Sequence, residues 1–327
     1  MVLVLGRKDV EAVLTMKDTL VAVENAFREL GSGNVEMPHR LTVRVNKYMG
    51  LVESMPAYIG GIDALGMKLI SAYVENPSKY NLPMTVATIL LNDPTNGTLA
   101  AIMDGTWITA MRTGAVSGVA TKYLAREDAQ TVGIFGTGTQ ARTQLMAMKE
   151  VRKLREVKAY DIIPESSRKF ADEMTEKLGI SVVPVKNPMD TVVSSDIVIT
   201  STTSKVSVFN GKWLKDGTHV NAIGSHNPAT SELDEVTIKR AKVVVDQKEA
   251  CLKEAGDLLG LISSGKISSD HIYGELGELV TRKKEGRTSN TEITVFKCVG
   301  LAIEDVATAR LVFEQARTKG IGKTVEI

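Results

Sequence analysis

Residues 131–141 read T-V-G-I-F-G-T-G-T-Q-A, and this stretch decides the fold. Its first five residues predict a short buried strand, after which Gly136, Gly138 and Ala141 follow the spacing G-x-G-x-x-A. The first glycine permits a tight turn, the second lets the backbone approach a pyrophosphate, and the small third residue lets the next helix lie close to the strand. A helix predicted from Thr139 onward would point free N–H groups at phosphates. The stretch therefore indicates a dinucleotide-binding turn.

A second predicted strand supports this interpretation against an ordinary strand-to-helix turn. Residues 157–160 form the strand, and Asp161 ends it. An acid is expected roughly 20 residues after the glycines, where it hydrogen-bonds a ribose 2′-OH. An ionised carboxylate repels a 2′-phosphate, and the next residues, I-I-P, place no arginine beside it, although Arg168 and Lys169 lie further along. The sequence therefore predicts NAD(H) as the cofactor, with NADP(H) as the alternative.

The composition excludes several classes of function. The chain has 327 residues, with 40 Lys plus Arg against 39 Asp plus Glu, so no charged field favours nucleic acid or a membrane surface. Cys251 and Cys298 lie far apart without a C-x-x-C, which argues against a disulfide framework and fits a reducing cytoplasm. The apolar runs are too short to span a bilayer, and the histidines show no paired metal-ligand spacing. We therefore expect a cytoplasmic protein without a membrane span or a metal.

The order of elements predicts an α/β fold with two kinds of sheet. Between residues 40 and 91, short strands separated by turn-like gaps predict a mainly antiparallel sheet. Beyond Asp161, strands and helices alternate, which predicts a doubly wound parallel sheet. The helices expected late in the chain lie at 231–240, 272–284 and 302–318.

The same pattern predicts two domains, one of them discontinuous. The N-terminal part has no closed α/β pattern of its own, so we expect the final helix to pack back against it. The predicted domains are a Rossmann dinucleotide-binding domain at 126–300 and an α+β domain at 1–125 and 301–327.

Lys68 is the first candidate for chemistry. In the strand predicted at 64–74, alternation places Met67 and Leu69 on one face, and Gly66 and Lys68 on the other. If the face of Met67 and Leu69 is core, Lys68 points toward a cleft beside a glycine that leaves room for a ligand. The alternative is a solvated strand lysine.

Two arginines could form an anion site. Arg112 lies in M-R-T-G-A on a predicted helix dominated by Ala, Val and Gly, and an arginine in such apolar surroundings needs an anionic partner. That partner is either a carboxylate of the protein or a substrate carboxylate. Arg40 begins a strand and could close a second side of the same site, with a surface arginine as the alternative.

His226 is a candidate for proton exchange. It lies in G-S-H-N-P, directly after a predicted strand of the parallel sheet. Ligands of such sheets bind at the carboxyl ends of the strands, and an imidazole titrates near neutral pH.

Nearly the whole chain resembles the ornithine cyclodeaminase/mu-crystallin family, and within it the archaeal alanine dehydrogenases and the ketimine reductases. As a set the matching stretches are specific. Besides the glycine motif, they are M-P-H-R at 37–40, L-V-E-S-M-P-A at 51–57, G-M-K at 66–68, M-R-T-G-A at 111–115, A-Y-D at 159–161, H-V-N-A-I-G at 219–224, E-L-D at 232–234 and V-F-K-C-V-G-L-A-I-E-D at 295–305.

The resemblance implies a homodimer in which the N-terminal part and the last helix form a substrate-binding and dimerisation domain. It implies that Arg40, Lys68 and Arg112 surround the carboxylate of a small substrate, with Lys68 as the acid/base and Glu53 facing the substrate. It also implies a set of cofactor-contacting positions. Together with the glycine motif, these are Arg112, Thr113, Gly136, Gly138, Thr139, Gln140, Asp161, Ile162, Thr202, Ala222, Ile223, Gly224, Ser225, Lys297 and Gly300.

One position departs from the family pattern. Cyclodeaminases and archaeal alanine dehydrogenases carry a proton-handling aspartate where this chain has His226. This departure counts against cyclodeamination, whereas G-S-H-x-P resembles members that reduce cyclic ketimines. We therefore expect an NAD(P)H-dependent oxidoreductase acting on the C–N bond of a small 2-imino or 2-amino carboxylate. The alternatives are an ornithine cyclodeaminase with internally recycled NAD and a non-catalytic, nucleotide-bound protein of mu-crystallin type.

Overall fold

The structure, a computed structural model, describes residues 1–326. Its contacts divide the chain into two compact units: unit 1 is Met1–Arg112 together with the chain from Leu301 onward, and unit 2 is Thr113–Gly300. The sequence predicts a boundary after residue 125, at the end of a helix. In the structure the boundary follows Arg112, inside that helix. From Gly114 onward this helix packs within unit 2, because a side chain at Gly114 would collide with Thr143. The functions assigned to the two domains stay predictions.

The strands of the described residues are numbered here in chain order. They are β1 Val2–Leu5, β2 Val35–Glu36, β3 Leu41–Val45, β4 Gly50–Ile59, β5 Ala64–Tyr73, β6 Thr85–Asn92, β7 Leu99–Asp104, β8 Thr131–Phe135, β9 Glu156–Tyr160, β10 Ser181–Pro184, β11 Ile197–Thr200, β12 His219–Ala222, β13 Ala241–Val245, β14 Ile272–Glu275, β15 Ile293–Lys297 and β16 Lys323–Val325.

The α-helices are numbered in the same way. They are α1 Arg7–Val13, α2 Met16–Ser32, α3 Asn76–Lys79, α4 Gly105–Leu124, α5 Thr139–Val151, α6 Pro164–Leu178, α7 Pro188–Val193, α8 Glu235–Arg240, α9 Lys248–Glu254, α10 Gly256–Ser263, α11 Leu276–Val280 and α12 Ala302–Lys319. No helix among residues 1–326 is long and apolar enough to cross a membrane.

Unit 1 is built on a mixed sheet with the order β16-β1-β7-β6-β5-β4-β2, in which β3 also pairs with β4. All pairs are antiparallel except β1 with β7, so the predicted mainly antiparallel sheet is confirmed. Helix α12 contacts β4, β5, β6 and α2, as expected for a final helix that packs back on the N-terminal part. Helix α2 begins at the Thr15 cap, whose side chain accepts from Asp18 N, and ends at Gly33 in the left-handed region.

Unit 2 contains the predicted doubly wound parallel sheet, with the order β10-β9-β8-β11-β12-β15-β13-β14. All its strand pairs are parallel. Strands β8, β11, β12 and β15 are buried along their whole length, as expected for central strands of a parallel sheet that is covered on both faces. The strand order reverses at β8, so the crevice at the carboxyl ends of β8 and β11 is where a ligand of this fold binds.

Two helices differ from the sequence prediction. The helix expected at 272–284 is strand β14 followed by the short helix α11, because Ile272 and Gly274 are buried where β14 pairs with β13. A short apolar run fits a strand or a helix equally well, and the sheet edge decides between them. The helix expected from residue 231 begins only after Asp234, whose side chain accepts from Thr237 N and caps it.

Candidate active site

A buried cluster of cations and carboxylates lies in unit 1. Lys68 on β5 has only 1% of its surface exposed, and its Nζ lies 2.6 Å from Asp305 Oδ2. The other oxygen of the same carboxylate, Oδ1, accepts from Arg112 Nε at 3.0 Å. Asp305 on α12 therefore bridges the lysine and the arginine, which come from parts of the chain far apart in sequence.

Side chains alternate along β5 as predicted, but the condition that the face of Met67 and Leu69 is core does not hold. The face of Gly66 and Lys68 is the buried one, whereas Leu69 is 39% exposed. Helix α12 covers that face, since a side chain at Gly66 would lie 3.5 Å from Val306 and 2.7 Å from the Leu90 carbonyl. Gly66 therefore makes room for a neighbouring strand and for α12, and not for a ligand. The alternative of a solvated lysine is wrong as well.

Arg112 has carboxylate partners within the protein, one of the two alternatives that the sequence left open. Besides Asp305, its guanidinium contacts Glu304, with Nη1 2.8 Å from Oε2. Both carboxylates are completely buried in the first turn of α12, where the helix dipole favours negative charge. Glu304 Oε1 also accepts from Leu301 N at 2.9 Å and so caps the helix. The sequence analysis gave these two acids no role, although E-D ends the last matching stretch.

Arg40 and Glu53 form a second, less buried pair. Arg40 Nη1 lies 3.4 Å from Glu53 Oε2, with the two side chains 12% and 19% exposed. Glu53 Oε1 accepts from Thr42 Oγ1 at 3.1 Å, across the β3–β4 register that pairs these residues. The structure therefore pairs two predicted site residues, Arg40 and Glu53, and connects two others, Lys68 and Arg112, through Asp305.

The surroundings of Lys68 make it a titratable group. Burial is the main cause, and together with the nearby Arg112 and Arg40 it lowers the pKa of Lys68 from 10.5 to about 8, although Asp305 acts in the opposite direction. A lysine with this pKa can donate or accept a proton close to neutral pH.

In unit 2 the glycine turn fits a pyrophosphate. Gly136 has φ +82°, and a side chain there would lie 2.7 Å from the Ser201 carbonyl, so only glycine suits the turn. A side chain at Gly138 would meet no protein atom within 4 Å, which leaves open space at the start of α5. No side chain caps this helix, and the buried Gln140 Oε1 has no hydrogen-bond partner. Thr139, another predicted contact, is the first helical residue. These features suit a bound dinucleotide.

Asp161 lies directly after β9, beside the glycine turn. Its Oδ2 accepts from Thr137 N at 3.0 Å and from Thr137 Oγ1 at 2.8 Å, while its Oδ1 accepts from Ile163 N at 2.9 Å. The adjacent Ile162 is 85% exposed. The carboxylate is thus fixed at the end of the second strand, where the sequence predicted a ribose-binding acid.

A buried carboxylate that the sequence analysis gave no role, Glu232, connects two loops with predicted cofactor contacts. It accepts from Thr202 N at 2.6 Å and Thr202 Oγ1 at 2.8 Å through one oxygen, and from Thr200 Oγ1 at 2.8 Å and Gly224 N at 2.7 Å through the other. The loops after β11 and β12 are thereby held together at the carboxyl edge of the sheet.

Lys297, at the end of β15, is completely buried. Its Nζ lies 3.0 Å from Asp257 Oδ2 and donates to the Ala222 carbonyl at 3.2 Å. Burial would lower its pKa, but Asp257 and Glu232 outweigh that effect, so the pKa lies above the ordinary value. The ammonium therefore has protein partners, and this geometry does not favour the predicted contact with a cofactor. That contact stays a prediction.

The remaining predicted residues of unit 2 lie after β12, in α4 and after β15. His226 is exposed, with Nδ1 3.0 Å from the Gly224 carbonyl. Ser225 is buried and donates to the Thr230 carbonyl at 2.7 Å, and Ile223 precedes it with 7% exposed. The last two positions are held through their backbones: the Thr113 carbonyl accepts from Gln144 Nε2 at 2.9 Å, and Gly300 N donates to Asp246 Oδ2 at 2.9 Å.

The parallel sheet and the glycine turn after its first strand give unit 2 a fold of the Rossmann class. The chain belongs to the ornithine cyclodeaminase/mu-crystallin family, whose sequence model matches residues 2–320. Among residues 1–326, no group of three or more His, Cys, Asp or Glu could hold a metal ion.

Known proteins of this family are similar to the chain over its whole length. The alanine dehydrogenase of Archaeoglobus fulgidus is 38% identical over 324 residues, 99% of this chain and 98% of that protein. The Δ1-pyrroline-2-carboxylate reductase of Thermococcus litoralis, solved with NADH and L-proline, matches with TM-score 0.96 and 47% identity over 99% of this chain and 100% of that one. An archaeal alanine dehydrogenase dimer with bound NAD matches with TM-score 0.94 and 37% identity over 100% of this chain and 99% of that one.

Proposed function

We propose that this protein is an NAD(H)-dependent oxidoreductase that acts on the C–N bond of a small 2-imino or 2-amino carboxylate. The observation that carries the proposal is Lys68, a buried lysine with a pKa of about 8 beside two arginines. Such a group suits proton transfer at a nitrogen next to a carboxylate. The relatives named above, which include reductases and dehydrogenases of this type, support the same assignment.

In the proposed reaction, unit 2 binds the dinucleotide. The N–H groups at the start of α5 and the open space at Gly138 receive the pyrophosphate, and Asp161 accepts hydrogen bonds from the adenosine ribose. When bound, the nicotinamide supplies a hydride to the substrate in reduction and accepts it in oxidation. The solved relatives with NADH or NAD support this choice of cofactor.

Unit 1 binds the substrate and moves the proton. Arg40 and Arg112 supply the positive charge that attracts the substrate carboxylate, and charge-assisted contacts fix its orientation. In reduction the Lys68 ammonium gives a proton to the substrate nitrogen, and in oxidation the neutral amine takes it back. Glu53, held by Arg40 and Thr42, faces the same group of cations and is the proposed second polar contact. His226 is the proposed proton-exchanging group at the edge of unit 2.

A substrate panel tests this function. Purified protein is mixed with NADH and, in separate reactions, with a five-membered cyclic ketimine acid, its six-membered homologue, or pyruvate plus ammonia. Loss of absorbance at the NADH band with at least one of them is expected. No NADH oxidation with any of them would contradict the proposal. Ammonia and proline formed from ornithine without net NADH would establish the cyclodeaminase instead.

Two glycine variants test the cofactor site without turnover. Gly138→Ala places a methyl group in space that is empty of protein atoms, at an ordinary φ of −79°. We expect an unchanged melting temperature and NADH binding at least about tenfold weaker, by fluorescence titration, because close backbone approach is lost. Gly136→Ala, its control, forces a side chain into positive φ and should destabilise the fold by about 1–3 kcal/mol. Tight NADH binding by Gly138→Ala would argue against the site.

The choice between the two nicotinamide cofactors rests on Asp161. Its carboxylate is held by Thr137 at the end of β9, where a 2′-phosphate would meet negative charge. We expect kcat/KM to be higher with NADH than with NADPH for the same substrate. A ratio that favours NADPH would show that Asp161 does not face the ribose.

We further propose that the protein is a homodimer, associated through the exposed face of the unit 1 sheet. On β3, β5 and β6 the large apolar side chains of Leu41, Val43, Leu69 and Val86 are 39–68% exposed. They share one face of the sheet, because the strand register aligns Leu41 with Leu69 and Val43 with Val86 across the neighbouring strands. The dimeric relative supports this assignment. Sedimentation should give twice the chain mass for the wild type and a smaller mass for Val43→Lys. A monomeric wild type would contradict it.

We also propose a location in the cytoplasm, because the two buried cysteines, Cys251 and Cys298, are thiols and not a disulfide.

A further inference from the structure

Asp305 contacts two of the three groups to which the proposed reaction assigns positive charge, Lys68 and Arg112. One of its oxygens lies 2.6 Å from Lys68 Nζ, and the other accepts from Arg112 Nε at 3.0 Å. The carboxylate and the lysine are both almost completely removed from solvent. Without an anion between them, a buried ammonium and a buried guanidinium would repel each other strongly.

Glu304, the preceding residue, provides a natural comparison. It is equally buried in the first turn of α12 and also holds Arg112, with Oε2 2.8 Å from Nη1. Its other oxygen accepts from Leu301 N at 2.9 Å and so holds the start of the helix. The two neighbouring acids therefore share the arginine, and Asp305 also forms an ion pair with Lys68.

We propose that Asp305 is a positioning residue of the reaction, which fixes the Lys68 ammonium against Arg112 and keeps it in the charged form that donates the proton. The proposal rests on the function assigned above, because it concerns the acid/base of that reaction. The Asp305 carboxylate acts through Lys68 and does not itself contact the substrate.

The sign of the effect follows from the groups that surround Lys68. Burial, Arg112 on α4 and Arg40 just before β3 lower its pKa, and Asp305 on α12 is the anion that raises it. Removing that charge should lower the pKa further, by about one unit or more. A larger fraction of Lys68 is then neutral at pH 7, so imine reduction loses its proton donor at a lower pH than in the wild type.

The test is a pH titration of three proteins: wild type, Asp305→Asn, and the matched control Glu304→Gln. In each, the ε-carbon of lysine is labelled with ¹³C, and the NMR signal that disappears in Lys68→Met is followed with pH. This readout needs no turnover. The pH dependence of kcat/KM for ketimine reduction is measured in parallel, and NADH binding reports that unit 2 is folded.

In Asp305→Asn we expect the midpoint of the Lys68 titration and the midpoint of the alkaline limb of kcat/KM to shift together to lower pH, by about one unit or more. In Glu304→Gln both midpoints should stay within about 0.3 pH unit of the wild-type values. KM for the carboxylate substrate should rise, because Glu304 no longer holds Arg112 in place. An unmoved titration in Asp305→Asn, or equal shifts in both variants, would overturn the inference. Asp305→Glu, which keeps the charge, should restore the wild-type limb if Asp305→Asn folds poorly. Wild-type inactivity on every imine would instead refute the proposed function and leave the Lys68 titration measurable.

Discussion

Two buried lysines, one in each unit, have the same kind of partner and opposite properties. Lys68 and Lys297 are both at most 1% exposed, and each forms an ion pair with an aspartate, at 2.6 Å and 3.0 Å respectively. The pKa of Lys68 is nevertheless lowered to about 8, whereas that of Lys297 is raised above its ordinary value.

The second set of neighbours explains the difference. Lys68 faces the guanidinium groups of Arg112 and Arg40, which add to the penalty of burial. Lys297 faces a second carboxylate, Glu232, and donates to the Ala222 carbonyl. A lysine among cations is easily deprotonated and suits chemistry, while a lysine among anions is locked in its charged form and suits structure.

The largest expected effect is the loss of activity on removing Lys68. Lys68→Met should lower kcat/KM for ketimine reduction by about 10²–10⁴-fold, the usual contribution of a positioned general acid. The fold should survive, since Asp305 keeps its ion pair with Arg112. Steady-state NADH oxidation measures the loss, and NADH binding by the variant is the control. Near wild-type activity would remove Lys68 from the mechanism.

Removing the other lysine should damage stability instead. Lys297→Met leaves Asp257 buried without its cation, which costs about 3–5 kcal/mol for a buried pair broken on one side. Urea unfolding of the two methionine variants, monitored by circular dichroism, compares them directly. If Lys68→Met were the less stable of the two, the distinction between a chemical and a structural lysine would be wrong.

The pH dependence of stability gives a smaller and more specific effect. Lys68 titrates near pH 8 in the folded protein and near 10.5 when unfolded, so the unfolded chain binds more protons between these values. Its burial therefore destabilises the fold fully below about pH 8, and the penalty is relieved as pH rises toward 10.5. We expect wild-type stability, relative to Lys68→Met, to rise by at most about 1.4 kcal/mol per pH unit in this window. A constant difference would contradict the lowered pKa.

Local signals in the sequence predicted the first strand, turn and helix of the unit 2 sheet well. The glycine turn, the helix start at Thr139 and the acid at Asp161 are contiguous features, and each depends on the backbone geometry of a few residues. The family resemblance brought together Arg40, Glu53, Lys68 and Arg112, but as a set of roles and not as contacts.

The sequence could not predict which carboxylates complete the cluster. Asp305 meets Lys68 because α12 returns to cover β5, and no local pattern records that return. The same long-range packing decides which face of β5 is buried, since α12 covers the face of Gly66 and Lys68. Glu232 connects the loops of Thr202 and Gly224 for a similar reason, since its partners lie on strands that only the parallel sheet brings together.

The pH dependence of kcat/KM for the reduction of a five-membered cyclic ketimine acid by NADH tests the central claim most directly. With Lys68 as the proton donor, kcat/KM should fall about tenfold per pH unit above a midpoint near 8, because only the ammonium form is active. In Lys68→Met the remaining activity should lack this limb. A wild-type profile without a limb near pH 8, or a limb that persists unchanged in Lys68→Met, would assign the proton to another group and contradict the account.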